Sequence, residues 1–351
     1  MASAALFIKR SACVKLQLEL RVKNKRRVRM AKKKNKKRKL KWILIALPVL
    51  LLIGITYIVG GSYFEHRKLV EQEKQAYPAP GSLVEVNDRG DKLHVYAEGE
   101  GDETLVFMAG HGTASPVYDF KALYEKLSDE YRIAVVERAG YGWSDITASS
   151  RDTDTVLEET RAALQLAGEK PPYVLFPHSM AGLEALYWAA LHPEEIEAIV
   201  ALDALVPGYI EQTEEEKSMS RMITFLARSG LIRSGPDIFE NNFHAMKKGL
   251  LTAEEAEIAK TIFFRRVYSK NMWAEWKIIH ANSQQVAAEG KPDVPYLAFI
   301  SAENEEELWK ESITSYAEAI DGEYAVLEAG HYIHLDRPEL IAEKSREFIE
   351  R

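Results

Sequence analysis

Ser179 stands at the join between an apolar run, YVLFP (173–177), and a longer run of helical character, AGLEALYWAALHP (181–193). A serine there has two physical uses. It can cap the helix by accepting a backbone N–H. On a sharp strand-to-helix turn it can instead present its hydroxyl as a nucleophile, with the following backbone N–H free to bind an oxyanion. The second use needs small residues, because strand and helix approach closely. The usual pattern is Gly-x-Ser-x-Gly; here it reads Pro177-His178-Ser179-Met180-Ala181, with Gly182 one place later. A hydroxyl is a poor nucleophile until a neutral imidazole takes its proton, so this chemistry also requires a nearby histidine and a carboxylate that orients it.

The elements that must position these groups are legible as an alternation. The β-like runs LVFMAG (105–110), RIAVVE (132–137), YVLFP, AIVALDA (198–204) and YLAFIS (296–301) are separated or followed by helical stretches, among them DFKALYEKL (119–127), TVLEETRAALQLAG (155–168) and ELIAEKSREFIER (339–351). Such alternation predicts an α/β fold, a mostly parallel sheet flanked by helices on both faces. Between residues 205 and 293 the pattern turns helical and rich in Met, Phe and Trp, as in TIFFRRVY (261–268) and MWAEWKIIHA (272–281). That predicts a helical cap inserted between strands 6 and 7. Asp203 closes the strand before the cap, at the sheet edge where ligands bind; it also suits a plain structural brace.

Three further segments flank Ser179 in a definite order: AGHGTASPVYDF (109–120), ERAGYGWSD (137–145) and LEAGHYIHLDRPELI (327–341). With them the chain resembles the α/β-hydrolase superfamily over roughly residues 84–351. The resemblance implies Ser179 as nucleophile and His331 as general base, leaving His334 and His178 to packing or hydrogen bonding. It implies an oxyanion hole made by the Met180 N–H and that of His111, or of Thr113 if His111-Gly112 rather than Ala109-Gly110 matches the family's His-Gly. The acid is Asp203, placed as in the superfamily's haloalkane dehalogenases, or Glu305 in SAENEEELW (301–309), nearer the position most relatives use. Glu137 replaces the family's Asp.

Arg138 and Asp145 are expected to form loop ion pairs. Trp143, Trp273 and Trp276 line the substrate cavity or pack in the cap. The implied reaction is ester hydrolysis through an acyl-enzyme on a small-molecule acyl substrate, with no metal or organic cofactor. Dehalogenases and epoxide hydrolases need a carboxylate nucleophile, so serine at 179 argues against both. An aminopeptidase or amidase, with the acidic run EQTEEEK (211–217) facing a substrate amine, is the second enzyme reading. A catalytically inactive binding protein is the third, with the Pro177 and Ala181 departures in its favour.

Charge is strongly polarised along the chain. Residues 1–41 hold 17 of the 46 Lys and Arg and a single acid, Glu19, leaving 29 basic against 52 acidic residues from Trp42 onward. Residues 42–64, WILIALPVLLLIGITYIVGGSYF, carry no charge, and about 20 apolar residues suffice for a membrane-spanning helix. A single N-terminal transmembrane helix is therefore predicted. The cluster KKKNKKRKLK (32–41) before it puts the N-terminus in the cytoplasm and the acidic body on the other face of the cell membrane. That topology signal already accounts for the basic arm without nucleic acid.

The organisation read from sequence is a basic arm over 1–41, the span over 42–64, a linker over 65–83 and the hydrolase-like domain over 84–351. Met30 opens MAKKKNKKRKLKW and is expected to be the translational start; an N-terminal peptide from residues 1–29 in the native protein would overturn that. Cys13 is the only cysteine, which excludes an intrachain disulfide.

Overall fold

The computed structural model describes residues 2–212, 221–235, 237–304 and 307–351. Eight strands, β1 (Ser82–Glu85), β2 (Lys92–Glu98), β3 (Thr104–Met108), β4 (Arg132–Glu137), β5 (Tyr173–Pro177), β6 (Ile196–Leu202), β7 (Tyr296–Ser301) and β8 (Glu323–Leu327), form one sheet. Their spatial order is β1-β2-β4-β3-β5-β6-β7-β8. β1 and β2 join antiparallel, and every pairing from β4 to β8 is parallel.

The central strands read as unbroken apolar runs because both faces of the sheet are covered. Their side chains still alternate: Leu105, Phe107, Val174, Phe176, Val200 and Leu202 enter one core, and Val106, Met108, Leu175, Ile199, Ala201 and Ile300 the other. Helix α1 (Ala2–Ala76) precedes β1 in the chain; α2 (Pro116–Tyr124), α3 (Thr153–Ala167) and α4 (Ala181–Leu191) connect the parallel strands. Phe120 and Leu123 of α2 close the first core, and Leu157, Leu164, Leu186 and Trp188 of α3 and α4 close the second. Burying each such large side chain contributes about 1.5–3 kcal/mol. α3 starts on Asp152, whose side chain accepts the Thr155 N–H at 2.8 Å, and stops at Gly168 with φ of 94°, a left-handed C-terminal position that glycine adopts without strain.

Between β6 and β7 all regular elements among the described residues are helical: α5 (Arg221–Arg228), α6 (Ile238–Asn242), α7 (His244–Lys247), α8 (Ala253–Arg266), α9 (Lys270–Lys277) and α10 (Ile279–Glu289), with short 3-10 turns. This is the cap. It packs through Phe239, Phe243, Ile262 and Phe263, and α8 begins with a reciprocal Thr252–Glu255 capping box. α11 (Glu307–Ala319), α12 (Ile333–Asp336) and α13 (Pro338–Ile349) complete the chain.

The chain divides into two compact units, Met1–Gly61 and Ser62–Arg351. By length and composition α1 contains a segment able to cross a membrane. One expectation needs correction. The linker read over 65–83 is helical as far as Ala76, because HRKLVEQEKQA contains good helix formers and neither Gly nor Pro, which are confined to 78–81. Ser62, His66, Leu69, Val70 and Glu73 are half-buried at helical spacing, so this stretch has a packed face, and its Glu73 carboxylate receives both Nη1 and Nη2 of Arg233 in the cap at 2.7 and 2.9 Å.

Candidate active site

Ser179 sits just beyond β5 with φ of 52°, a left-handed conformation that costs a non-glycine residue about 1–3 kcal/mol unless its surroundings enforce it. They do. The Ser179 carbonyl accepts the N–H groups of Gly182 at 2.9 Å and Leu205 at 2.8 Å. A Cβ at Gly182 would collide with the Leu205 carbonyl. Gly182, three residues after the serine, therefore admits the segment that follows β6, and Ala181, buried at 1% exposure, fits at the position where the usual pattern has glycine. Ser179 does not cap the helix, since α4 has Met180 at its N-cap and no side-chain cap bond.

The hydroxyl instead meets an imidazole. Ser179 Oγ lies 3.0 Å from Nε2 of His331, and Nδ1 of His331 lies 2.6 Å from Oδ2 of Asp203. Asp203 follows β6 and is fully buried. Its two oxygens accept the backbone N–H of Ser301 at 2.9 Å and the Ser301 hydroxyl at 2.8 Å. With the Nδ1–H of His331 donated to the Asp203 carboxylate, the lone pair on Nε2 faces the serine. The alternative acid, Glu305, lies outside the described residues.

The neighbouring histidines have other partners. His178 is buried, and its Nε2–H donates to the His331 carbonyl at 3.0 Å. Burial first, and then the adjacent His334 and His331, hold its pKa well below the usual imidazole range. His334 is fully buried and bonded to Asp119 at 3.0 Å. The ring of Trp309 meets His331 edge-on at 5.4 Å, and Tyr209 meets Trp309 at 4.8 Å. Sequence reasoning missed Trp309, which stands in a helix far along the chain with no local motif to mark it.

On the other side of the serine runs the loop after β3. A Cβ on Gly110 would stand 2.7 Å from Cβ of Ser179, so this glycine is what admits the loop beside Ser179. The backbone N–H groups of Met180 and His111 donate to no acceptor among the described residues. Thr113 is buried farther along the loop. The His111 ring packs on Trp276 at 5.3 Å and approaches Glu275 at 4.0 Å; burial lowers its pKa.

The two loop residues expected to form ion pairs differ. Arg138 does so, buried between body and cap: it donates to the Ala109 carbonyl at 2.6 Å and to Glu275 at 3.3 Å, with Glu184 at 3.6 Å. Glu275 also accepts the Tyr141 hydroxyl at 2.5 Å. Asp145 accepts the Lys92 backbone N–H at 3.0 Å and makes no ion pair among the described residues. Glu137 is fully buried, bonded to the Trp143 N–H at 2.7 Å and to Nδ1 of His94 at 2.9 Å. Its carboxylate fills the space that a Cβ on Gly142 would take, so the longer acid is matched by a glycine in the loop it braces. Trp143 donates its indole N–H to the Tyr77 carbonyl at 3.1 Å, and Trp273 lies under Lys277 at 5.0 Å.

Fold and site geometry define the class. The chain belongs to the alpha/beta hydrolase fold family, whose pattern matches residues 104–338. It is 35% identical over 322 residues to a Bacillus subtilis (strain 168) protein called "Uncharacterized protein YbdG", covering 88% of this chain and 98% of that one. Among solved structures, Cfl2 from Burkholderia cenocepacia superposes with a TM-score of 0.58 at 22% identity, over 76% of this chain and 94% of that chain. The Bacillus megaterium epoxide hydrolase superposes with a TM-score of 0.59 at 15% identity, over 77% of this chain and the whole of its own. The chain is thus a hydrolase of the α/β fold.

Proposed function

We propose that this protein is a membrane-anchored serine hydrolase that cleaves a carboxylic ester. The observation that carries the reading is the relay Ser179 Oγ to His331 Nε2 at 3.0 Å and His331 Nδ1 to Asp203 at 2.6 Å. His331 removes the hydroxyl proton as Ser179 attacks the ester carbonyl, and Asp203 stabilises the imidazolium that results. The tetrahedral oxyanion is received by the N–H groups of Met180 and His111. His331 then protonates the departing alcohol, and water, deprotonated by the same imidazole, releases the acid and restores Ser179. A serine in place of a carboxylate separates this chemistry from that of the epoxide hydrolases it resembles in fold. The apolar segment of α1 anchors the chain, with the basic arm cytoplasmic and the catalytic domain on the opposite face.

Reaction of the full chain with a fluorophosphonate probe tests the reading. Labelling that disappears in Ser179→Ala, together with turnover of a short acyl ester, is the expected result. A wild-type chain that neither labels nor turns over the ester would favour a binding protein, and turnover of amides in preference to esters would favour an amidase.

A further inference from the structure

Away from Ser179, a cavity of about 770 Å³ opens between the end of α1 and the cap. Its walls include Tyr63 and Val70 of α1 on one side and Phe264 and Trp143 on the other. Tyr63 belongs to the apolar segment 42–64, so the wall starts where the proposed membrane span ends. His66 closes against Gly230, where a Cβ would collide with its ring, and the Arg233–Glu73 pair clamps the same face.

The lining charge is unbalanced. Arg67, Lys74, Arg228, Arg265, Arg266 and Lys270 face it, against two acids, Glu71 and Asp145. Both acids are engaged: Glu71 pairs with Lys74 at 3.1 Å, and Asp145 holds the Lys92 backbone N–H. Nε and Nη1 of Arg265 are buried without a hydrogen-bond partner among the described residues. Arg266 is 6% exposed, donates Nε to the Gly142 carbonyl at 2.5 Å and faces no carboxylate within ion-pair distance among the described residues. Burial, and then the adjacent Arg265, lower its pKa to about 10. Two adjacent guanidinium groups, one buried and one partly so, with no carboxylate in ion-pair contact among the described residues are costly, and together they present fixed donors suited to a phosphate.

We propose that this cavity binds an anionic, phosphate-bearing amphiphile, with the phosphate on Arg265 and Arg266 and the apolar chain along Tyr63, Val70 and Phe264. Membrane phosphatidylglycerol-like lipids and free phosphate share the head chemistry, and the apolar walls select the lipid. The site is independent of the chemistry at Ser179.

The test is thermal unfolding of the purified full chain in neutral detergent, at constant ionic strength, with dihexanoyl phosphatidylglycerol, dihexanoyl phosphatidylcholine or inorganic phosphate. The anionic lipid is expected to raise Tm saturably, phosphate to raise it less and phosphatidylcholine not at all. Arg265→Gln should weaken half-saturation by about tenfold or more, as loss of a charged hydrogen bond does, and Arg265→Lys should recover part of it. Val70→Trp, which fills the cavity and leaves every charge in place, should abolish the lipid effect and keep that of phosphate; it carries the test should Arg265→Gln fail to fold. Equal shifts from phosphate and the anionic lipid would overturn the amphiphile. No shift, or one undiminished in both Arg265→Gln and Val70→Trp, would overturn the site.

Discussion

His331 and Asp203 are joined at 2.6 Å, on a carboxylate that Ser301 fixes with both its backbone N–H and its hydroxyl. That second pair of bonds holds the buried acid in one rotamer. Asp203→Asn is therefore expected to lower kcat by about 10³–10⁴-fold with the fold intact, read in ester turnover and circular dichroism. Glu305→Gln is expected to turn over like wild type; the reverse pattern would exchange their roles.

Gly110 tests the placement of the oxyanion loop. An added methyl would stand 2.7 Å from Cβ of Ser179, so loop and nucleophile must part. Gly110→Ala should cost about 10²-fold in kcat/KM through misplaced donors, with a smaller change in Tm. Unchanged kinetics would remove the loop from the site.

Glu137 braces its loop by length. Glu137→Asp withdraws the carboxylate by one methylene from the Trp143 N–H and from His94, leaving a buried donor unpaired. A loss of about 1–3 kcal/mol follows, measured by denaturant unfolding. A variant as stable as wild type would show that the shorter acid of the family's segment fits equally well.

His66 supplies a pH dependence. Burial, and then the charge of Arg233, lower its pKa to about 4. Above about 6.5, the ordinary imidazole value, the folded and unfolded chains are both neutral at this site and it has no effect. As pH falls from about 6.5 toward 4 the unfolded chain takes up the proton first, so folding loses stability with acidification. His66→Asn should flatten the fall of Tm between pH 7 and pH 4.5; parallel Tm profiles for the two proteins would count against this assignment.

Periodicity along the chain made much of the architecture legible. Runs such as YVLFP and AIVALDA report burial on both faces of a strand because the signal repeats within a few residues. The same locality led to the linker being misread: composition over 66–83 averaged a helical half with a Pro and Gly half, and the half-buried face of His66, Val70 and Glu73 depends on a cap more than 150 residues away, as the 160-residue separation of Arg233 and Glu73 illustrates. The ion pair expected of Arg138 is present, but its partner was not legible for a similar reason, since Glu275 is 137 residues distant.

The sequence by itself determined the fold class, the apolar segment near the N-terminus and the serine at a strand-to-helix join, all properties of neighbours along the chain. Tertiary structure brought Asp203 to His331, across 128 residues, and set Gly182 against the Leu205 carbonyl at the elbow. Hydrogen bonds and steric contacts act over about 3 Å. Only the sheet order, which sets the ends of β5, β6 and β7 side by side, brings such distant residues within that range.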